Sequence, residues 1–443
     1  MPFPWATAVA LPPASALTPR EEAMISDPTP PRGGPHPGPI ALPDRQVRSL
    51  AATLYGYAFL RDLVLLYPVY PLLFTDTGLT VWQISTLFVI WSASSIVLEV
   101  PSGALADAVS RRLLLCLAPL VTAAGFALWT LVPSYPAFAV GFLLWGVGGA
   151  LASGALEALV YTGLDRLGAA SRYARVIGRA RTAETLGVLA SLVLAAPVLA
   201  LGGYPALGVA SVLACLGAAA VATCLPEHRE PAAGPGADPD DGEPGWWVSL
   251  RGGLAEAHTD RTVRAAVLLV AAVAAGWGAL DEYLPLLARD VGASGPAVPL
   301  LLVLTWVGVA VGGLLTPAGE RLGRRGYAGL LGGSAGALAA GALTGHPVGF
   351  LLVGVAFCGF QLATVLADVR LQARIVGPAR ATVTSLAGMA TDTTIIACYV
   401  GYGLLATVVG NRVAFAVTVA PYLVVALLVA VVRPARRWSR PWR

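Results

Sequence analysis

The chain has 443 residues, 56% of them apolar and only 12% charged, with a mean hydropathy of +0.72. A soluble domain carries roughly 25% charged residues, so a water-soluble protein, a collagen and a disordered regulator are all excluded. The 29 basic residues are all arginine, against 25 acidic ones, for a net charge of +4.

From Met1 to Ser49 the chain is rich in Pro, Gly and Ala without helical period, which predicts a disordered cytoplasmic tail over 1–49. Pro12-Pro13 interrupts the one apolar patch there, so a signal peptide is not expected, and Met24 is an alternative start. A helix needs about 20 apolar residues to cross a bilayer. Cutting at Gly, Pro and charge clusters yields twelve spans, at about 50–74, 81–104, 112–132, 135–160, 175–199, 204–225, 263–287, 297–317, 326–344, 347–368, 380–408 and 411–432. The polar stretch 226–262 reads as a cytoplasmic linker between two six-helix bundles, 50–225 and 263–432, and 433–443 as a second cytoplasmic tail.

Sorting the arginines among the connections places 26 of the 29 on one face. Only Arg289 and Arg412 fall on the other, and Arg61 falls inside a span. The positive-inside rule makes the arginine-rich face cytoplasmic, with both termini on that side. Cys116, Cys215, Cys224, Cys358 and Cys398 lie in or beside apolar runs, never as a CxxC pair, so neither a disulfide framework nor a metal site is expected.

Two stretches repeat. Arg175-Val-Ile-Gly-Arg-Ala-Arg181 corresponds to Arg374-Ile-Val-Gly-Pro-Ala-Arg380, making the fifth and eleventh spans equivalent. Gly103-Ala-Leu-Ala-Asp107-Ala-Val-Ser-Arg111-Arg112 corresponds to Thr316-Pro-Ala-Gly-Glu320-Arg321-Leu-Gly323-Arg324-Arg325, an acid followed after three residues by two arginines. This arrangement resembles the major facilitator superfamily, whose loop reads G, three residues, D, a basic residue, any residue, G and two basic residues. The first copy departs from it at Ala108 and Ser110, the second at Thr316 and Glu320.

The resemblance implies an all-α membrane protein of twelve helices in two pseudo-symmetric bundles. It further implies a loop that latches one state, making Gly103, Asp107, Arg111, Arg112, Glu320, Arg321, Gly323, Arg324 and Arg325 gating candidates. Physically, a carboxylate at one helix end beside arginines opening the next forms charge-assisted hydrogen bonds that must break on opening. Glu99, Glu157, Arg181 and Arg380, near the same face, are expected to support that gate.

Ionisable groups inside a span mark functional sites by default. Arg61 and Asp62 lie in the first span with Tyr55 near the face of Asp62, and Asp281 and Glu282 lie in the seventh with Trp277 one turn earlier. The resemblance makes these two spans symmetry mates lining a central cavity. Asp392 in the eleventh span is a third candidate, with Tyr399 on nearly the same face, while Glu184 lies closer to the cytoplasm. No histidine falls mid-span, so a carboxylate, Asp62 or Asp281, is the expected proton carrier.

No P-loop, HExxH or nucleophile elbow is evident, so neither ATP hydrolysis nor proteolysis is supported, and no cofactor or nucleic-acid partner is implied. Ala196-Pro197 and Gly202-Gly203 match the fifth-helix motif of the superfamily's drug antiporters poorly. The expectation is a monomeric, proton-coupled exporter of small organic compounds in a bacterial plasma membrane. Import of a nutrient or organic anion on Arg61, and a non-transporting receptor or scaffold, stand as alternatives.

Overall fold

The computed structural model describes residues 43–227, 261–375 and 380–431, and the side chains of all of these except 43, 99–108 and 380–382. The helices of the first half are α1 (Pro43–Asp62), α2 (Tyr70–Asp76), α3 (Val81–Ala108), α4 (Arg111–Leu131), α5 (Tyr135–Ala152), α6 (Ala155–Arg166) and α7 (Tyr173–Ala222). Those of the second are α8 (Arg261–Asp281), α9 (Leu284–Asp290), α10 (Ala297–Leu314), α11 (Thr316–Gly319), α12 (Arg324–Leu343), α13 (Gly349–Gln372), α14 (Arg380–Val417) and α15 (Ala420–Val431). There is no strand among the described residues.

Among the described residues, eight helical stretches are long and apolar enough to cross a membrane. Two of them are double. Gly203 (φ 63°) folds α7 back on itself, and Gly410 (φ 77°) does the same in α14. Both positions need the left-handed backbone that glycine adopts without steric cost. Counting each arm separately, the α1–α2 pair and the glycine-rich α12 would complete twelve segments, though these last two fall short of the others in apolar length. Leucines and valines such as Leu201, Leu314 and Val408 are 80–90% exposed, as expected of a lipid-facing surface.

Several sequence boundaries shift. Helix α1 starts at Pro43, inside the expected tail, because Val47 and Leu50 bury against the first bundle and Asp44 pairs with Arg172 at 2.7 Å. The expected span 50–74 is broken over 63–69, where Pro68 removes a helical N–H and disfavours helix at Tyr67. Ser211 Oγ of α7 accepts a hydrogen bond from the freed Leu66 N–H at 3.0 Å. The seventh span breaks likewise, between Asp281 and Leu284 just before Pro285. Gly154 (φ 69°) divides the fourth.

The two breaks expose a repeat that the sequence reading missed. Tyr70-Pro-Leu-Leu-Phe-Thr-Asp76 (α2) and Leu284-Pro-Leu-Leu-Ala-Arg-Asp290 (α9) share proline, two leucines and a terminal aspartate at one offset. That register makes Tyr67 the mate of Asp281. The residues 1–42, 228–260, 376–379 and 432–443, which include most of the expected linker, most of the first tail and all of the second, lie outside the described ones.

Candidate functional site

A cavity lies between the halves. The break in the first span contributes Tyr67, Pro68 and Pro71, and its mate contributes Asp281, Glu282 and Pro285. Trp91 of α3, Val188 and Leu192 of α7, and Leu302 and Trp306 of α10 complete the wall. Both helices stop a few residues ahead of a proline, and the irregular turns that follow bring polar side chains to the cavity. Trp91 stacks on Trp145 at 4.8 Å and Tyr67 meets the same indole edge-on at 5.0 Å, so the aromatic wall is held from behind. Glu282 is buried and accepts a hydrogen bond from the Tyr70 hydroxyl across the interface. Neither Asp281 nor Glu282 forms an ion pair with a described cation.

The second charged group lies inside the first bundle. Arg61 Nη2 donates to Glu184 Oε1 at 2.7 Å and stands 3.6 Å from Asp62 Oδ2. Arg181 bridges the other Glu184 oxygen at 3.2 Å and Glu157 at 3.3 Å. Five charges of alternating sign thus run from the buried Asp62 to the half-exposed Glu157 at the arginine-rich end.

At the opposite end the halves are closed on each other. Arg289 of α9 holds Asp76 of α2 through two hydrogen bonds, at 2.5 and 3.0 Å, and Tyr204 donates to the same carboxylate at 2.6 Å. Burial would raise the Asp76 carboxyl, but the Arg289 and Tyr204 hydrogen bonds outweigh it and hold the group below its ordinary range. Ser85 and Tyr283 share a hydrogen bond of 2.7 Å, and Phe88 packs on Tyr283 and Tyr399 at 5.3 and 5.2 Å.

The model of the Major Facilitator Superfamily matches residues 54–369. The chain belongs to this superfamily. It is therefore a multi-pass membrane transporter of the all-helical MFS fold, rather than an enzyme. No curated protein matches the sequence. Among solved structures it is similar to a point mutant of the nucleoside transporter NupG, at TM-score 0.69 and 13% identity, over 86% of this chain and 99% of that one. A bacterial homolog of the human lysosomal transporter Spinster, inward-facing and unoccupied, gives 0.66 and 17%, over 88% and 97%. A D-xylose–proton symporter gives 0.60 and 17%, over 88% and 98%.

Within this MFS transporter the sequence candidates separate. Asp281 and Glu282 line the central cavity; Arg61 and Asp62 line a different one, inside the first bundle. Trp277 is a correction: it is 1% exposed, donates from Nε1 to Thr364 at 3.0 Å and packs on Phe357, so it belongs to the core of the second bundle. Its face of α8 meets α13 instead of the opposite half. Tyr55 packs on the first-bundle core near the arginine-rich end and also stays out of the cavity. Asp392 is half-buried on α14, seven residues from Tyr399, and is not among the cavity-lining residues.

Of the gating candidates, Arg111 donates to Thr162 at 3.2 Å and Arg112 pairs with Glu227 at 3.2 Å. Glu157 pairs with Arg181 at 3.3 Å. In the second copy Arg324 donates to the Val429 carbonyl at 2.6 Å, and no ion pair of Glu320 with Arg321, Arg324 or Arg325 is among the described contacts. Gly323 is extended backbone ahead of α12. Glu99, Gly103, Asp107 and Arg380 lie outside the described side chains.

Tyr67, Trp91, Trp306 and Tyr70 were missed by the sequence reading. Hydropathy alone does not separate a cavity-facing aromatic from a packed one. The X-Pro pairs Tyr67-Pro68 and Tyr70-Pro71 were the available signal.

Proposed function

We propose that this transporter exports small organic cations, or zwitterions with a cationic group, in exchange for protons, by alternating access of the two halves. The observation that carries the reading is Asp281 with Glu282 in an aromatic-walled cavity, unpaired by any described cation. A carboxylate supplies charge-assisted hydrogen bonds to an ammonium group, and the faces of Tyr67, Trp91 and Trp306 attract the same charge. Proton uptake on a neighbouring carboxylate opposes cation binding electrostatically, which favours exchange over co-transport.

The anion-import alternative loses its ligand, because Arg61 is engaged by Glu184 and faces the interior of one bundle. The arginine sorting supports a plasma-membrane orientation with the arginine-rich end cytoplasmic.

The test is proton movement in liposomes carrying the purified protein, on addition of ethidium, a neutral sugar and an organic anion. Ethidium-triggered proton flux that is lost in Asp281→Asn and Glu282→Gln is expected. Flux triggered by the anion or sugar alone would assign the cavity to import instead.

A further inference from the structure

Four tyrosines gather near the seam where the halves close on each other, and three of their hydroxyls are satisfied. Tyr70 of the first half donates across the interface to Glu282 of the second. Tyr283 of the second half shares its hydrogen bond of 2.7 Å with Ser85 of the first, and Tyr402 donates to Asn411 at 3.1 Å. The fourth, Tyr399 of α14, is fully buried, and its hydroxyl has no hydrogen-bond partner among the described residues. A buried hydroxyl left in that state is costly, and a phenylalanine in its place would avoid the cost.

Packing holds the Tyr399 ring from both halves. Phe88 of α3 lies 5.2 Å from it and Tyr283 6.1 Å, while Tyr283 stacks on Tyr402 at 3.9 Å. A Cβ at Gly403, one turn on in α14, would run into Ser85 and Trp82 of α3, so these two helices meet without room for a larger residue. Within this frame the groups in electrostatic reach of the Tyr399 hydroxyl are Glu282, Tyr283, Asp281 and Cys398, and Tyr70 feels Tyr399 in turn. Tyr283 is engaged with Ser85, and a thiol is a weak acceptor, which leaves the two carboxylates. Glu282 acts on Tyr399 most strongly, and its present donor, Tyr70, belongs to the other half.

We propose that Glu282 changes donors during transport: Tyr70 holds it while the arginine-poor end is closed, and Tyr399 takes it when that end opens, expelling the cation there. The inference rests on the cation-binding reading above. Tyr70 and Glu282 stand on opposite halves, so their hydrogen bond cannot outlast separation of the halves. Tyr399 in α14 and Glu282 in the break after α8 stand on the same half and travel together. Separation also carries Phe88 away from the Tyr399 ring, which frees the phenol to turn. Its O–H then competes with the cation for the Glu282 carboxylate, and affinity falls on the side where the solute must leave. Tyr399 is thus a positioning residue that acts through Glu282, and the hydroxyl that is costly in the closed state is put to use in the open one.

The experiment uses the full chain in membrane vesicles of both orientations, with ethidium exchanging against ethidium in the absence of a proton gradient, so that each face reports its own half-saturation. Tyr399→Phe is expected to lower the half-saturation at the arginine-poor face by roughly tenfold and to leave that at the arginine-rich face unchanged. A purely structural hydroxyl would change the melting temperature and nothing sided. Half-saturations that stay where they are, or that shift equally at both faces, therefore overturn the proposal and leave the cation reading standing. Absence of saturable ethidium exchange in wild type overturns the cation reading itself and the proposal with it, so the two failures are distinct. Should Tyr399→Phe fail to insert, 3-fluorotyrosine placed at position 399, a stronger donor of nearly the same shape, decides. Weaker binding at the arginine-poor face alone is then expected, and unchanged binding there overturns the proposal.

Discussion

Arg289 and Asp76 join the two halves at the arginine-poor end through paired hydrogen bonds of 2.5 and 3.0 Å. They come from the repeated xPLLxxD segments, one residue apart in register, since the mate of Asp76 is Asp290 and not Arg289. Asp290 instead accepts from Asn411 at 2.9 Å within its own half. The terminal aspartate of one copy thus closes the interface while that of the other braces its own bundle.

Asp76→Asn and Arg289→Ala are expected to raise labelling of a cysteine at the cavity wall by a membrane-impermeant thiol reagent from that side. The Arg289 and Asp76 side chains are 32% and 45% exposed, so the pair contributes roughly 0–1 kcal/mol and the shift in population is modest. The pH dependence has a definite sign. Because its partners depress the Asp76 carboxyl, the contact is complete above the ordinary carboxylate range and is lost as pH falls through the depressed value. Labelling flat from neutral pH down to that range, then rising, is the expected profile.

The ladder inside the first bundle is graded by burial, and substitutions along it should be graded too. Glu184 is 2% exposed and satisfies both Arg61 and Arg181. Removing one partner of such a buried pair costs about 3–5 kcal/mol. Glu157 has a side chain 55% exposed, where an ion pair is worth roughly 0–1 kcal/mol. Thermal unfolding in detergent should therefore place Glu184→Gln well below wild type and Glu157→Gln close to it. Equal melting temperatures for the two would mean that Asp62, 3.6 Å from Arg61, replaces Glu184 without loss.

Much of this was readable in the sequence, because spans and loop charges are properties of contiguous residues. The arginine sorting needed only the order of the chain; Arg289 reaches Asp76 and Arg412 the Leu343 carbonyl. The destination of Arg61 was not readable: its partner Glu184 is 123 residues away, and the choice between bundle interior and cavity is made by which face of α7 packs against α1. Trp277 misled for the same reason. The break over 63–69 was hidden because its residues are as apolar as the helix they interrupt, and the proline signal was outweighed by hydropathy.

Glycine at 141 is required by packing. A Cβ there would run into the Trp129 indole, which is pinned by its hydrogen bond to the Phe138 carbonyl at 3.1 Å. Overpacking of this kind costs about 1–3 kcal/mol. A Cβ at Gly336 meets nothing within 4 Å. Gly141→Ala should lower the melting temperature and Gly336→Ala leave it unchanged or slightly raised.

Tyr70 ties the closure to the solute site, because its hydroxyl donates to Glu282, a cavity-lining carboxylate of the other half. A cation that takes Glu282 as its ligand competes with this bond and so loosens the interface it reaches through. Tyr70→Phe removes the competitor while keeping the ring against Phe74 and Trp129. Hydrogen bonds to charged groups contribute about 1.5–3 kcal/mol, so apparent ethidium affinity should rise by roughly tenfold or more, together with access from the arginine-poor side. Tighter binding without greater access would confine Tyr70 to the cavity, whereas greater access without tighter binding would leave Asp281 as the sole anionic ligand.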